Sequence, residues 1–448
     1  MTDKASEVLK ITKDEGVKFI DLQFTDIFGV TKSVTIPSEL LEESLERGTW
    51  FDGSSIQGFA RIQESDMFLR PDPVTYRILP WTRDAAQSGL RARIICDVYN
   101  PDGTPFEGDP RYILKKAVDH AAQMGFGYNT GPELEFFLFR QNGTGPVPHD
   151  IGGYFDFSPN DEAQILRSDI ANALMDLKIH VEMAHHEVAI GQHEVDFKYE
   201  NALHSADNAI TFKYTVKGVA VQHGLFATFM PKPVFGINGS GMHVHQSLTD
   251  INTGTNCFYD GDSPCFKLST VAQQFVAGQL AHARALAGVV APTVNSYKRL
   301  TPGYEAPVYV CWAQRNRSAL IRVPRYSPGR ENGTRVELRF PDPSCNPYLA
   351  FAVMLEAGLD GITRGLTPPE PVTDDVFHWS TEEREARGVD VLPGTLEEAL
   401  NELAKDDLVK KALGEHIYNA YEPAKRAEWD EYRIHVSEWE RERYLTSI

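Results

Sequence analysis

Two glutamates stand two residues apart in a segment that has the pattern of a β-strand. The segment is PELEFFLFR (132–140), and Glu133 and Glu135 project from one face of it, about 6.6 Å apart along the chain. Phe137 and Phe139 continue that face toward a core, where two like charges without a cation would be costly. We therefore interpret the pair as ligands for divalent cations. A half-exposed strand with its glutamates in water is the alternative.

The tripeptide His-Glu-Val occurs twice around Gly191. The first copy contains Glu187 and the second contains Glu194, so a bend would bring two acidic side chains together. Carboxylate-rich sites favour Mg²⁺ or Mn²⁺ over zinc. A zinc hydrolase is disfavoured because the spacing is not the HExxH that places two histidines on one helical face. A surface hairpin with ordinary histidines is the other alternative.

A glycine-rich segment, GINGSGMHVH (236–245), ends in two histidines at strand spacing. The glycines would let the backbone approach a ligand closely, and His243 and His245 would point the same way. Taken alone, the segment is equally compatible with a turn of structural use.

Arginine is concentrated in 299–339, which carries eight arginines and no lysine against three glutamates, a local charge of +5. Guanidinium groups recognise phosphate and carboxylate with two hydrogen bonds at once, so we predict an anion site. Glu337 lies two residues from Arg335 and from Arg339. A carboxylate there would bind a cation while the arginines hold an anion. A solvated basic face is the alternative.

Metal-assisted phosphoryl transfer requires carboxylates and histidines that bind metal ions, and arginines that bind phosphates. The sequence offers both sets of residues. The chain has no GxxxxGK[ST] loop and no HRD or DFG set, so it is neither a P-loop enzyme nor a protein kinase. A guanidino kinase, which uses similar chemistry, is a further alternative.

Composition narrows the class of protein. The chain has 448 residues, 42% of them hydrophobic and 24% charged, as expected for two or three folded domains. Its net charge of −19 disfavours nucleic acid and anionic lipid as partners. Five scattered cysteines form no CxxC pair, and no apolar run approaches the ~20 residues of a membrane span. We expect a cytoplasmic protein that binds neither nucleic acid nor membranes.

The elements that position these residues begin with a small α+β module. Alternating segments at 17–24 and 30–36 predict a hairpin, because every second residue is apolar. A helix should open at Pro37-Ser38 and end at Gly48, and a strand should follow at 92–98.

The stretch 99–110 is rich in Gly, Pro and Asp and predicts a domain boundary near residue 105. The predicted domains are therefore 1–105 and 106–448. Amphipathic patterns in the second domain predict helices at 111–124, 159–178, 268–290 and 395–446.

Seven motifs occur in the order and rough spacing of type I glutamine synthetase. They are FDGSSIQGF (51–59), GPELEFFLF (131–139), HHEVAIGQHEVDF (185–197), NGSGMHVH (238–245), KRLTPGYEAP (298–307), RNRS (315–318) and TRVELRFPDPSCNPYLAF (334–351). The chain resembles the shorter, non-adenylylated branch, because GVDVLP (388–393) stands where adenylylated members carry a Tyr in NLYDLP.

The resemblance implies an α+β fold with an N-terminal β-grasp domain and a C-terminal catalytic α/β barrel. It also implies a homo-oligomer, a dodecamer of two stacked hexamers, with each active site shared between neighbouring subunits. The implied reaction joins ammonium to the γ-carboxylate of L-glutamate through γ-glutamyl phosphate and yields L-glutamine, ADP and phosphate. ATP is a substrate, and two or three Mg²⁺ or Mn²⁺ ions are implied per site.

By motif position, the resemblance also assigns roles to single residues. The metal ligands would be Glu135, Glu187 and Glu194 on the glutamate side and Glu133, His243 and Glu337 on the ATP side. The glutamate-binding residues would be Asn238, Gly239, Arg299, Glu305 and Arg339. The ATP-binding residues would be Glu182, His245, Ser247, Arg317, Arg322 and Arg335.

Three residues would take part in catalysis. Asp52, from the adjacent subunit, would hold ammonium and take its proton; Glu305, in a flap, would accept a second proton; and Arg317 would neutralise the phosphoryl group. Arg61 would serve glutamine feedback in this branch.

Two readings on the same scaffold stay open. A γ-glutamyl-amine ligase would bind a polyamine instead of ammonium, and the presence of Asp52 and Glu305 disfavours it. A non-catalytic assembly protein is disfavoured because like charges are kept at all the expected metal positions.

Overall fold

The computed structural model describes residues 3–56, 58, 66–83, 89–140, 147–158, 161–303, 306–374 and 376–448. Among these residues, no helix is both long enough and apolar enough to span a membrane.

The first sheet is built from the N-terminal part of the chain. Its elements are α1 (Asp3–Asp14), β1 (Phe19–Thr25), β2 (Thr31–Pro37), α2 (Leu41–Arg47), β3 (Thr49–Asp52), β4 (Asp66–Pro71), β5 (Arg77–Ile78) and β6 (Arg91–Tyr99). The strand order is β2-β1-β6-β4-β3, and β5 pairs with β6. β1 and β2 form an antiparallel hairpin, and α2 ends at Gly48, whose φ is +77°. The predicted hairpin, helix and strand are confirmed.

The second sheet contains eleven strands in the described part of the chain. They are β7 (Phe126–Arg140), β8 (Val147–Pro148), β9 (Val181–His186), β10 (Gln192–Phe197), β11 (Glu200–Asn201), β12 (Leu225–Thr228), β13 (Met242–Asp250), β14 (Tyr309–Ala313), β15 (Ala319–Arg322), β16 (Val336–Leu338) and β17 (Asp390–Val391). The order is β17-β14-β15-β16-β13-β7-β10-β9, and β8, β11 and β12 also pair with β7. The long strand β7 therefore organises the sheet.

The second sheet is accompanied by helices. They are α3 (Pro110–Gln123), α4 (Gln164–Asp176), α5 (Ala202–Gln222), α6 (Thr270–Val290), α7 (Ser296–Arg299), α8 (Pro347–Thr363), α9 (Thr381–Ala386), α10 (Leu396–Lys405), α11 (Asp407–Leu413), α12 (Glu415–Arg433) and α13 (Glu438–Tyr444). α3 and α6 match the predictions closely. α4 begins later than predicted, because Asp161 accepts the backbone N–H of Ala163 in a turn that precedes it. The helical C-terminal region is divided at Asp406 and Gly414.

α6 and α8 cross with their backbones in direct contact. A Cβ at Gly278 would lie 2.1 Å from the carbonyl oxygen of Ala357, and one at Gly361 would lie 2.1 Å from that of Gln274. Only glycine permits this approach. Both helices share one hydrophobic core with β7 and β13. Their contact therefore supports the core-facing side of the second sheet.

A buried arginine joins the two sheets. Arg111 of α3 is 2% exposed and donates to Asp97 of β6 at 2.7 Å and to Asp72 at 2.8 Å. It also forms two hydrogen bonds, of 3.0 and 2.9 Å, with the carboxylate of Asp207 in α5. Tyr348 of α8 donates to the same carboxylate at 2.6 Å. One guanidinium thus neutralises carboxylates from both parts of the chain.

We expect Arg111→Met to lower the free energy of unfolding by about 3–5 kcal/mol, because it leaves the buried Asp207 carboxylate without its cation. Chemical denaturation of the full chain measures the change. The matched control is Lys116→Met, which removes an exposed pair with Glu107 and should cost less than about 1 kcal/mol. Equal losses in the two variants would contradict this account.

A histidine connects α6 to two other helices through aspartates. His282 Nε2 lies 3.0 Å from Asp360 of α8, and Nδ1 lies 2.6 Å from Asp406, which caps α11. Although burial lowers the pKa of His282, hydrogen bonds with Asp406 and Asp360 outweigh it and raise that pKa above its ordinary value.

This raised pKa makes part of the stability depend on pH. The stabilisation should be fully present below about pH 6.5, the ordinary histidine pKa, and should fall as the pH rises through the raised pKa of the folded state. Unfolding measured across neutrality should show this loss in the wild-type chain and not in His282→Gln. His180→Gln, at an exposed position, is the control and should keep the wild-type pH profile.

Candidate active site

Strand register brings together carboxylates that are far apart in the sequence. In β7, Glu133 lies opposite His243 of β13, and Glu135 lies opposite Glu194 of β10. Leu134 of β7 points to the other side and is fully buried in the core. The period of two along β7 therefore turns both glutamates to one face, as predicted from their spacing.

The first group of possible metal ligands contains Glu133, His245 and Glu337, with one ligand atom of each lying within 4.8 Å of the others. His245 Nε2 is 2.7 Å from Glu133 Oε1. His243 lies slightly farther away, with Nδ1 at 3.5 Å from Glu133 and at 3.7 Å from Glu337. Against the effect of burial, His245 and His243 hold the pKa of Glu133 well below its usual range.

Arginines complete the surroundings of this first group. Arg322 of β15 donates to Glu337, and Arg339 Nε lies 3.2 Å from the same carboxylate. Arg335 donates to His245 Nδ1 at 3.1 Å. Burial would raise the pKa of Glu337, but the neighbouring histidines and arginines lower it. Glu337 is therefore held as an anion.

The second group contains His185, Glu187 and Glu194. His185 Nε2 lies 2.8 Å from Glu187 and 3.8 Å from Glu194. Glu135 lies beside this group, and its Oε2 accepts the backbone N–H of Gly241 at 2.9 Å and the Gln192 amide at 2.8 Å.

The second group is short of positive charge. Burial, followed by the charge of Glu187, raises the pKa of Glu135 to about 8. Burial, followed by the charge of Asp196, raises the pKa of Glu194 well above its usual value. Oxygen-rich groups with this excess of negative charge fit Mg²⁺ or Mn²⁺, which take carboxylate ligands.

Asp196 is a site residue that we did not predict. It follows Glu194 by two residues on β10, and its buried Oδ1 accepts no hydrogen bond from the described residues. Burial raises its pKa to about 6. The motif HEVDF carried the signal, because a period of two places Asp196 on the same face as Glu194.

A cavity of about 390 Å³ opens beside the first group. Four of the predicted ATP-binding residues line this cavity: Glu182, His245, Ser247 and Arg335. Its walls also include Arg330, from the arginine-rich stretch, and residues to which we had assigned no role, namely Asp196, Phe197, Tyr199 and Asn332. The volume lies within the range of small-molecule sites.

The glycine-rich loop before β13 packs against Arg299. A Cβ at Gly239 would lie 2.3 Å from the Pro231 carbonyl oxygen, and one at Gly241 would lie 2.5 Å from Arg299 Nη2. The Arg299 guanidinium donates to the carbonyls of Arg339, Phe340 and Pro341 at 2.9 to 3.1 Å. Arg299 therefore supports the loop that presents Asn238 and Gly239.

Arg317 and Asp52 are predicted site residues that do not belong to either of these two groups. Arg317 is exposed, and its carbonyl oxygen accepts a hydrogen bond from Arg339. Asp52 ends β3 in the first sheet, and its carboxylate accepts the backbone N–H of Ser54 at 2.8 Å. Hydrogen bonds with Ser54 lower the pKa of Asp52. Glu305 and Arg61 lie outside the described residues.

The two ligand groups could hold divalent cations, and comparison with known proteins identifies the family. Residues 16–101 match the glutamine synthetase β-grasp domain, and residues 107–444 match the glutamine synthetase catalytic domain. The chain belongs to the glutamine synthetase family.

Relatives of similar length support this assignment. The chain is 55% identical to glutamine synthetase of Methanosarcina mazei, over 99% of this chain and 98% of that protein. It is 52% identical to glutamine synthetase of Thermus thermophilus, over 99% of both chains. Among solved structures, a GmaS/ADP complex aligns with a TM-score of 0.89 at 33% identity, over 99% of this chain and 100% of that one.

These matches confirm three of the expectations. They confirm the family, the fold with an N-terminal β-grasp domain and a catalytic domain, and an enzyme that makes glutamine. The γ-glutamyl-amine alternative is not favoured.

Two separate ligand groups predict two classes of Mn²⁺ site, which electron paramagnetic resonance without nucleotide can count. Glu194→Gln should weaken one class by more than about tenfold and leave the other unchanged, because only one group loses a carboxylate. Glu337→Gln should do the reverse. Glu107→Gln, at an exposed position, is the control. Loss of both classes in either single variant would contradict the assignment.

Proposed function

We propose that this protein forms L-glutamine from L-glutamate, ammonium and ATP by way of γ-glutamyl phosphate. The observation that carries the proposal is the arrangement of two carboxylate and histidine groups on one sheet, beside a cavity of about 390 Å³ with arginines at its edge. Attack of the glutamate γ-carboxylate on the terminal phosphate of ATP would release ADP and give γ-glutamyl phosphate. Ammonium would then lose a proton, and the resulting ammonia would displace phosphate to give the amide.

Divalent cations fit both groups because the ligands are carboxylate oxygens and imidazole nitrogens. Glu133, His243, His245 and Glu337 would hold one cation, and Glu135, His185, Glu187 and Glu194 would hold the other. When bound, the cations would supply charge neutralisation for the phosphates. We propose Mg²⁺ or Mn²⁺, with two or three ions per site.

The nucleotide would occupy the cavity lined by Glu182, Ser247 and Arg335. Arg322 and Arg317 would contribute positive charge at its phosphate end, since Arg322 already contacts Glu337 in the first group. Tyr199 lines the same cavity and offers an aromatic face to a base.

Glutamate would lie on the other side of the carboxylates, against Asn238 and Gly239. Arg339 adjoins this position through its pair with Glu337. Arg299 would reach glutamate only by exchanging one of its carbonyl contacts, so its main contribution here would be to hold the loop.

The roles of three further residues are also part of the proposal. Asp52 would be supplied by the adjacent subunit of a dodecamer, where it would hold ammonium and accept its proton. Glu305 would close over the acyl phosphate and exclude water. Arg61 would serve glutamine feedback. The cytoplasmic location and the domain division at residue 105 stay predictions.

The proposal is tested by phosphate release from ATP with Mg²⁺ and glutamate, comparing ammonium, putrescine and no amine. We expect turnover with ammonium alone, and its loss in Glu305→Ala, because the variant lacks the carboxylate that would take the second proton. Glu385→Ala, at an exposed position, is the control and should keep full activity. Turnover with putrescine but not ammonium would indicate an amine ligase, and no turnover with any amine would overturn the proposal.

A further inference from the structure

A second set of polar side chains lies directly beneath the hairpin of β9 and β10, which we call the metal-ligand hairpin, on the side that faces the core. We call it the imidazole cluster; it consists of His149, Asp150, Arg167, His186 and His193. His186 and His193 are fully buried and lie opposite each other in the pairing of β9 with β10. Each immediately precedes a carboxylate of the second ligand group. The repeated His-Glu sequence therefore sends its histidines inward and its glutamates to the site.

The imidazole cluster is connected by hydrogen bonds. Arg167 Nη1 donates to His193 Nδ1 at 3.0 Å, and His193 Nε2 lies 2.8 Å from His149 Nε2. Arg167 is paired in turn with the buried Asp161. His149 Nε2 lies 3.0 Å from Asp150. All of these side chains are buried, so each contact forms away from solvent.

The donor chemistry argues against a metal in this cluster, although His149, Asp150 and His193 are close enough to hold one. An arginine N–H can only donate, so His193 Nδ1 must accept, and the neutral ring carries its proton on Nε2. That nitrogen then has no lone pair for a metal and donates to His149 Nε2, which accepts here and so does not donate to Asp150. The cluster is thus a hydrogen-bonded support.

Asp150 contacts both sides of the turn between β9 and β10. On one side, its Oδ1 accepts the backbone N–H of Gly191 at 2.8 Å. On the other, both of its oxygens lie 3.2 Å from His186 Nε2. His186 Nδ1 donates to the backbone carbonyl of Glu187 at 2.7 Å. One carboxylate therefore fixes the turn of the hairpin and the backbone of a site residue together.

Residues that follow Asp150 in the chain contact the metal-ligand hairpin on the side that carries the glutamates. The Phe155 N–H donates to the carbonyl of His186 at 3.1 Å, and Phe155 has a φ of +60°, which a non-glycine residue rarely adopts. The rings of Tyr154 and Phe155 pack edge-on against His185, which contacts both Glu187 and Glu194. The imidazole cluster therefore contacts the hairpin on its core side, and Tyr154 and Phe155 contact it on the side of the glutamates.

We propose that Asp150 is a positioning residue that sets the separation of the Glu187 and Glu194 carboxylates, and with it the affinity of this site for a divalent cation. The inference rests on the proposed function, in which these carboxylates bind the cation. Asp150 does not touch the site itself; it acts through His186 and Gly191. Groups that orient metal ligands commonly change metal affinity by about 10–100-fold when they are removed.

The test is Mn²⁺ binding by electron paramagnetic resonance, in the full chain without nucleotide, together with thermal unfolding. Asp150→Asn should weaken the class of site that Glu194→Gln removes by about 10–100-fold and leave the Glu337-dependent class unchanged. The matched control is Asp21→Asn, which removes a partly buried carboxylate paired with Arg91 in the first sheet. It should lower the unfolding temperature without changing either Mn²⁺ affinity.

Wild-type Mn²⁺ affinities in Asp150→Asn would overturn the inference, as would equal weakening of both classes of site. If Asp150→Asn does not fold, His149→Gln removes one neighbour of Asp150 and should weaken the same class by a smaller factor; unchanged affinity there would equally overturn it. A wild-type chain that binds Mn²⁺ in two classes but makes no glutamine would overturn only the proposed function.

Discussion

Repulsion among buried carboxylates is the constraint on which this structure depends. Six acidic side chains converge from three strands and from the turn after β9: Glu133, Glu135, Glu187, Glu194, Asp196 and Glu337. The strands can hold them together only because the opposite faces are packed, as Leu134 and Phe136 of β7 are in the main core. Apolar burial on one side of the sheet thus offsets the electrostatic cost on the other, and the uncompensated negative charge would favour the binding of cations.

Local spacing within one strand could be predicted from the sequence, whereas pairing between distant strands could not. The period of two placed Glu133 and Glu135 on one face, and the repeated tripeptide marked the hairpin that carries Glu187 and Glu194. Which histidine lies nearer to Glu133 depends on how β13 pairs with β7 and on side-chain rotamers. The motif pointed to His243, yet His245 makes the shorter contact, at 2.7 Å.

The role of each arginine could likewise not be predicted from the residue type alone. The arginine-rich stretch predicted an anion site, and Arg335 does line the cavity. Arg299, however, donates to three backbone carbonyls, and Arg322 pairs with Glu337. A guanidinium makes the same kind of hydrogen bond with a bound anion as with a carboxylate or carbonyl of the protein. Only the folded structure therefore shows which of the two it contacts. For the same reason Asp150, in a segment without a motif, was missed.

The arginine that joins the two sheets limits how this chain can be recombined with its relatives. Asp97 lies in β6 and Asp72 directly follows β4, whereas Arg111 and Asp207 belong to the second part of the chain. A chimera with a crossover between β6 and α3 would take two of the three carboxylates that contact this guanidinium from a different parent. Recombination at this boundary would succeed only between parents that share all four residues. The sequence suggests a boundary there, but ion pairs connect the residues on its two sides.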